Sequence, residues 1–234
     1  MNTPVTDPVM SLFHEMAANS QPLTLLNTYR GIPINFPAQI DYVEQGYVAV
    51  KVVAYQAACL ALDSSTFVQG ELLPTTYQAR VVTVNVINRE ATLTEFNPVG
   101  DSIGKRSHIR VQPHEPVDAE IRSGDQRTIG KLADISSFGL GVYTFATYFY
   151  GDIHFKKGQE IWIEFNLPGS EKSSTFKGTV TSILHQSATF LSRVGIQIRP
   201  ESLNVILEEY VSHRQKEILR ELGLVYDSMC KEKK

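Results

Sequence analysis

Cysteine is scarce in this sequence: Cys59 and Cys230 are the two cysteines among 234 residues. They lie far apart in the chain and form no CxxC motif, so neither a disulfide framework nor a dithiol redox site is available. This usage of cysteine is typical of a reducing compartment, and we expect a cytoplasmic location.

Metal-binding spacings and long apolar runs are also missing. The six histidines form no HxH or HExxH motif, so a metal site has no support in the sequence. The most apolar stretch, residues 47–62, is interrupted by Lys51 and Gln56 and is shorter than the roughly 20 residues of a membrane-spanning helix. Residues 1–10 have neither the basic start nor the apolar core of a secretory signal. We therefore expect no metal cofactor, no membrane span and no signal peptide.

An excess of positive charge is absent as well. The chain holds 22 Lys and Arg against 25 Asp and Glu, a formal net charge of −3. A general DNA or RNA binder needs a broad basic surface to displace counterions, so this class is excluded. The charge balance does not exclude recognition of one small nucleotide. It is also uneven, because residues 1–100 hold 4 basic and 8 acidic residues and residues 101–234 hold 18 and 17.

The hydrophobic pattern predicts an all-β fold. Runs rich in β-branched residues at Tyr47–Val53 and Ala79–Ile87 are typical of strands. Val117–Arg122 alternates between apolar and polar residues, and the turn Gly124-Asp125 before Thr128–Ala133 predicts a hairpin. Later strands are predicted at Leu140–Phe145, Glu160–Phe165, Thr175–Leu184 and Arg193–Ile198. Many short strands of this kind favour β-barrels.

Helices are predicted only near the two ends. A short amphipathic helix is expected after Asp7, which can cap it, with Pro8 in its first turn. A C-terminal helix is expected from about Glu201 to Leu222, where Gly223 is a suitable residue to end it.

The segment Asn97–Gly104 is the best candidate for a linker, because it holds Pro98, Gly100 and Gly104 within eight residues. We therefore predict two domains, residues 1–100 and residues 101–234. The whole chain is then two β-barrel domains with a short N-terminal helix and a C-terminal helix.

Two short motifs in the second half stand out. Arg106-Ser-His-Ile-Arg110 places two arginines four positions apart, in a stretch that contains no acidic residue from Lys105 to His114. After 23 further residues comes Asp134-Ile-Ser136-Ser-Phe-Gly139. The planar fork of arginine binds phosphate oxygens or the O6 and N7 edge of guanine, and its face stacks on a base. Asp134 and Ser136 offer a carboxylate and a hydroxyl, and Gly139 permits a close backbone approach or a positive φ. The two motifs indicate a site for an anion and a purine.

With these motifs the sequence resembles the PilZ domain family, bacterial receptors for cyclic di-GMP. Their pattern is RxxxR followed some 20–30 residues later by [D/N]xSxxG. The likeness extends over about residues 104–210 and includes Leu167-Pro168 and the later strands and helix. The preceding domain, about residues 23–96, is similar in position and strand pattern to the N-terminal barrel of YcgR-type proteins. The resemblance implies a six-stranded antiparallel barrel for the second half and a split-barrel-like domain for the first.

Transferred to this chain, the family pattern implies a ligand site. Arg106 and Arg110 would bind guanine and phosphate, and Asp134, Ser136 and Gly139 would hold the second guanine region from the barrel. Lys105 stands just before RxxxR, where a long cation in this family favours a stacked ligand dimer. Lysine stacks less well than arginine, so the stoichiometry stays open.

The resemblance implies a receptor or effector rather than an enzyme. We expect the segment from Asn97 to His114 to be mobile without ligand, because its cations have no evident partner. Cyclic di-GMP would then recruit the arginines and reorient the two domains. The expected protein partner belongs to the flagellar motor or to exopolysaccharide or pilus machinery, so the output would be motility or biofilm formation. A ligand-independent adaptor, including a homodimer formed through the C-terminal helix, stays an alternative, and a nucleotide hydrolase is a weaker one.

Overall fold

A computed structural model of the protein describes residues 8–99, 108–145, 155–170, 173–186, 191–199 and 205–231. The chain forms two units, Met1–Ser107 with Ile218–Lys234, and His108–Glu217. The predicted domain boundary after residue 100 stays a prediction.

The first unit contains a closed antiparallel barrel of six strands. These are β1 (Leu23–Tyr29), β2 (Ile32–Glu44), β3 (Tyr47–Lys51), β4 (Ser65–Gln69), β5 (Thr76–Asn85) and β6 (Glu90–Val99). Their order around the barrel is β1-β2-β3-β6-β5-β4, and the pairing of β1 with β4 closes it. Alternation along β2 buries Ile32, Ile34 and Ala38 in the barrel, whereas Pro33, Asn35 and Pro37 are exposed.

Two helices belong to this barrel. The predicted N-terminal helix is confirmed as α1 (Pro8–Ala18), which buries Phe13 and Met16 in the apolar core. The residue proposed as its cap, Asp7, lies outside the described residues. A second helix, α2 (Ala54–Leu62), was not predicted, because its apolar residues continue the apolar run of β3 without a turn signal.

The second unit contains another closed six-stranded barrel. Its strands are β7 (Asp118–Ser123), β8 (Gln126–Ser136), β9 (Gly139–Phe145), β10 (Glu160–Asn166), β11 (Ser173–Gln186) and β12 (Leu191–Ile198). Their order is β10-β11-β12-β9-β8-β7, closed by the pairing of β7 with β10. The predicted hairpin is confirmed, because Ser123 pairs with Gln126 across the turn Gly124-Asp125. The other strand predictions in this half also correspond to observed strands.

The last helix, α3 (Val205–Lys231), is longer than predicted. We expected Gly223 to end it, and that prediction is wrong. A glycine inside a helix costs about 1 kcal/mol, but Leu222 is fully buried just before it and Tyr226 packs against the core of the first barrel just after it. Burial of these side chains outweighs the cost of one glycine, so the helix continues. Its predicted start, Glu201, lies outside the described residues.

The linker prediction is also wrong in part. Asn97, Pro98 and Val99 belong to β6 and pair with β5, whereas residues 100–104 lie outside the described ranges. The predicted architecture of two β-barrels with a short N-terminal and a C-terminal helix is confirmed. No helix within the described ranges is both long and apolar enough to cross a membrane.

Candidate functional site

The segment that carries Arg110 is fixed to the second barrel by its backbone. The Val111 N–H donates to the Ile135 carbonyl oxygen over 2.8 Å, and the Ile135 N–H donates to the Val111 carbonyl oxygen over 2.9 Å. Both side chains are fully buried. This antiparallel bridge brings the neighbours of Val111 beside the neighbours of Ile135. In this register Arg110 lies opposite Ser136, and Asp134 is its diagonal neighbour. The long side chain of Arg110 spans that diagonal, and its Nη1 lies 3.8 Å from Asp134 Oδ1.

The second motif forms the tight connection between β8 and β9. Ser136 pairs with Gly139 across it, and the buried Ser136 hydroxyl donates to the Gly139 carbonyl oxygen over 3.0 Å. A Cβ at Gly139 would lie 2.9 Å from the carbonyl oxygen of Ile196, which is backbone. Of the two reasons expected for a glycine here, close backbone approach is the one observed, because Gly139 is not among the residues with positive φ.

Asp134 is held by a second arginine, which lies outside both sequence motifs. Arg193 of β12 donates to Asp134 Oδ2, and both side chains are largely shielded from water, with 21% and 15% of their surface exposed. Asp134 Oδ1 is buried and accepts no hydrogen bond from the described residues. The signal that could have identified Arg193 is that it is the single charged residue of β12.

An aromatic contact joins the two motifs. The rings of His108, within RxxxR, and Phe138, within DxSxxG, have centroids 4.6 Å apart and planes tilted by 49°. Histidine and phenylalanine occupy variable positions of both motifs, so the pattern alone could not select them.

Four of the six predicted site residues are brought together by the fold: Arg110, Asp134, Ser136 and Gly139. The other two, Lys105 and Arg106, lie outside the described residues. The expectation that the cations of the Asn97–His114 segment have no partner is wrong for Arg110, which lies near the Asp134 carboxylate.

The described groups offer a ligand both a cation and a hydrogen-bond acceptor. Arg110 is 40% exposed and can reach an anion from outside, while the buried Asp134 Oδ1 can accept an N–H from a ligand. Among the described residues, no group of three or more His, Cys, Asp or Glu side chains is arranged to hold a metal ion.

The second half of the chain matches a known domain family. Residues 104–212 match the family model described as PilZ domain. This region of the chain, which contains the closed six-stranded barrel, is therefore a PilZ domain.

Similar proteins are known at several levels of likeness. An uncharacterized protein of Aquifex aeolicus (strain VF5) is 33% identical over 123 residues, which are 51% of this chain and 54% of that protein. The match thus spans about half the length of this relative. The crystal structure of YcgR in complex with c-di-GMP from Escherichia coli has a TM-score of 0.40 and 14% identity, over 97% of this chain and 95% of that one. The inhibitor of motility MotI/DgrA from Bacillus subtilis has a TM-score of 0.40 and 13% identity, over 85% and 97%.

Proposed function

We propose that this protein is a receptor for cyclic di-GMP that couples binding of the nucleotide to a rearrangement of its two units and to control of a protein partner. The observation that carries the proposal is the juxtaposition of Arg110 and Asp134 within a region that matches the PilZ family model. Each residue comes from a different motif, and the Val111–Ile135 bridge is the reason they meet.

The chemistry of these groups fits a cyclic dinucleotide. Arg110, together with Arg106, would bind the guanine O6 and N7 edge and the phosphate oxygens with bidentate hydrogen bonds. Asp134 Oδ1 would accept from a guanine N–H, which relieves the unfilled hydrogen bonding of this buried oxygen. Ser136 and Gly139 would shape the surface that the second guanine contacts, and Lys105 would border the site.

In this proposal the protein binds the nucleotide and does not convert it. The Asp134 carboxylate is engaged by Arg193 and is a poor general base in that state. Incubation of the protein with cyclic di-GMP followed by chromatography should return the dinucleotide unchanged. Appearance of a linear dinucleotide or of GMP would favour a hydrolase instead.

The output of the receptor is a control of motility or of biofilm and exopolysaccharide production through a protein partner. Binding shifts the arrangement of the two units only if the ligand has a higher affinity for one arrangement. Solution scattering with and without cyclic di-GMP should therefore give two different profiles, and an identical profile would exclude the rearrangement.

Calorimetric titration of the full chain with cyclic di-GMP tests the receptor directly. The Arg106→Ala and Arg110→Ala variants should each bind at least tenfold more weakly, since one bidentate arginine contact contributes about 1–3 kcal/mol. The matched control is Arg122→Ala, an exposed arginine of the same barrel that pairs with Glu120 and Glu164 instead. Absence of binding by the folded wild-type chain would leave the ligand-independent adaptor as the better description.

A further inference from the structure

We propose that Arg193 is a positioning residue of the ligand site, which fixes the Asp134 carboxylate through Oδ2 so that Oδ1 and Arg110 are presented together. This inference rests on the proposed function, because it concerns how the cyclic di-GMP site is held before the ligand arrives. Arg193 lies in neither motif, and Gly141 leaves the space through which its side chain reaches the site.

The first observation is that the two carboxylate oxygens of Asp134 have different surroundings. Oδ2 accepts from Arg193, whereas Oδ1 is buried, accepts no hydrogen bond from the described residues and lies 3.8 Å from Arg110 Nη1. A carboxylate held through one oxygen by an arginine cannot rotate freely, so its other oxygen keeps a fixed direction. In the proposed site, Asp134 Oδ1 and the exposed guanidinium of Arg110 thereby contact the same ligand.

The second observation is the path that Arg193 takes across the barrel. Asp134 is on β8 and Arg193 is on β12, and β9 lies between these strands. Gly141 of β9 pairs with Asp134 on one side and with Gly195 on the other. The ion pair therefore passes over the middle strand at a residue without a side chain.

The glycine is required by the space that the ion pair occupies. A Cβ at Gly141 would lie 2.7 Å from Arg193 Nη2 and 2.8 Å from Asp134 Oδ2. Both atoms are ends of flexible side chains, and Gly141 is not among the residues with positive φ. Alanine at this position can therefore be accommodated by the strand, but only if the guanidinium and the carboxylate shift from these positions.

These relationships give two independent ways to disturb the same contact. The Arg193→Gln variant removes the cation, and the Gly141→Ala variant leaves every charge in place but displaces the paired groups. The Arg193→Lys variant keeps the charge without the planar fork and provides a test if Arg193→Gln fails to fold. Arg122→Gln is the control for the loss of one positive charge from the same barrel, because Arg122 pairs with Glu120 and Glu164 rather than with Asp134.

The experiment is a calorimetric titration of each folded variant with cyclic di-GMP, with circular dichroism as the check of folding. We expect the Kd to rise at least tenfold for Arg193→Gln, at least fivefold for Gly141→Ala, by a smaller factor for Arg193→Lys, and less than twofold for Arg122→Gln. The double variant Arg193→Gln/Gly141→Ala should be no weaker than Arg193→Gln alone, since both changes act on one contact.

A purely structural role of the ion pair would lower the melting temperature and leave the Kd of the folded protein unchanged. Wild-type affinity in folded Arg193→Gln and Gly141→Ala would overturn the inference and leave the receptor proposal intact. Tighter binding by Arg193→Gln would also overturn it, because Arg193 would then compete with the ligand for Asp134. If the folded wild-type chain itself binds no cyclic di-GMP, the proposed function fails first, and the inference fails with it.

Discussion

Arg214 of α3 donates from its Nε to the backbone carbonyl oxygen of Gln112 over 3.0 Å, although Gln112 lies 102 positions earlier in the chain. The arginine is 1% exposed, and its Nη1 also pairs with Glu217 over 3.1 Å. Gln112 directly follows Val111, whose two backbone bonds hold the Arg110 segment on the barrel. The C-terminal helix thus takes part in fixing the strand-like segment beside the candidate site.

This contact predicts a large loss of stability for the Arg214→Ala variant. The change leaves the Gln112 carbonyl without its donor and creates space where a long side chain was packed, so we expect the free energy of unfolding to fall by about 2–4 kcal/mol. Urea denaturation followed by circular dichroism measures this difference. The matched control is Arg220→Ala, an exposed arginine of the same helix, with an expected change within about 0.5 kcal/mol. Equal stability of the two variants would contradict the prediction.

Two glycines of β9 should respond differently to alanine. At Gly139 the new Cβ would meet the backbone oxygen of Ile196 at 2.9 Å, and backbone within a barrel cannot move away easily. We expect Gly139→Ala to reduce the free energy of unfolding by about 1–3 kcal/mol, as other overpacking substitutions do. Gly141→Ala meets only side-chain ends and should be less destabilising. Thermal melts of both variants compare their melting temperatures. A lower melting temperature for Gly141→Ala than for Gly139→Ala would show that the backbone moves away at Gly139.

A buried polar network in the first barrel predicts a cost for Asn27→Ala. Asn27 Oδ1 accepts from Gln56 Nε2 and from Thr66 Oγ1, each over 2.7 Å, and its Nδ2 donates to the Ser65 carbonyl oxygen over 3.0 Å. Removing the amide leaves buried donors without an acceptor, so we expect a loss of about 2–3 kcal/mol in the free energy of unfolding. Asn35→Ala, an exposed asparagine of the adjacent strand, is the control and should change stability by less than about 0.5 kcal/mol. A loss in Asn27→Ala no larger than in the control would mean that the network contributes little.

The single buried thiol of α2 predicts a dependence of stability on alkaline pH. Burial, assisted by the nearby Asp63 carboxylate, raises the pKa of Cys59 to about 12. In the unfolded chain this thiol ionises above about pH 8.5, whereas in the folded protein it stays protonated. The unfolded state is therefore stabilised as pH rises from about 8.5 towards 12, and the free energy of unfolding falls by up to about 1.4 kcal/mol per pH unit.

The measurement compares urea denaturation of the wild type and Cys59→Ala at several pH values from 7 to 11. The wild type should lose stability more steeply above about pH 8.5, and the difference between the two slopes isolates Cys59, because every other group titrates in both proteins. Cys230→Ala, which changes the half-buried thiol of α3, serves as the matched control. Parallel slopes for wild type and Cys59→Ala would contradict the assigned pKa.

The sequence predicted most of the second barrel because its strands carry local signals. Val117–Arg122 alternates between apolar and polar residues, and Gly124-Asp125 marks the turn, so the hairpin is specified by short-range pattern alone. It did not predict α2, whose residues apart from Tyr55 and Gln56 carry no polar side-chain oxygen or nitrogen and could as well form a buried strand. The helix end predicted at Gly223 was wrong for a related reason. The residues that pack near Gly223, such as Tyr55, are distant in sequence.

The two motifs identify the candidate binding residues but not which of them lie in contact. Their residue types and spacing specify, within the chain itself, which side chains can bind an anion and a purine, because those properties belong to the groups. Which of them meet depends on long-range contacts: the Val111–Ile135 bridge sets Arg110 beside Asp134, and Gly141 allows Arg193 to reach the same carboxylate from β12. Hydrogen bonds between strands and close packing join residues without regard to their separation in the chain, so the pairing of Asp134 with Arg193 exists only in the folded barrel.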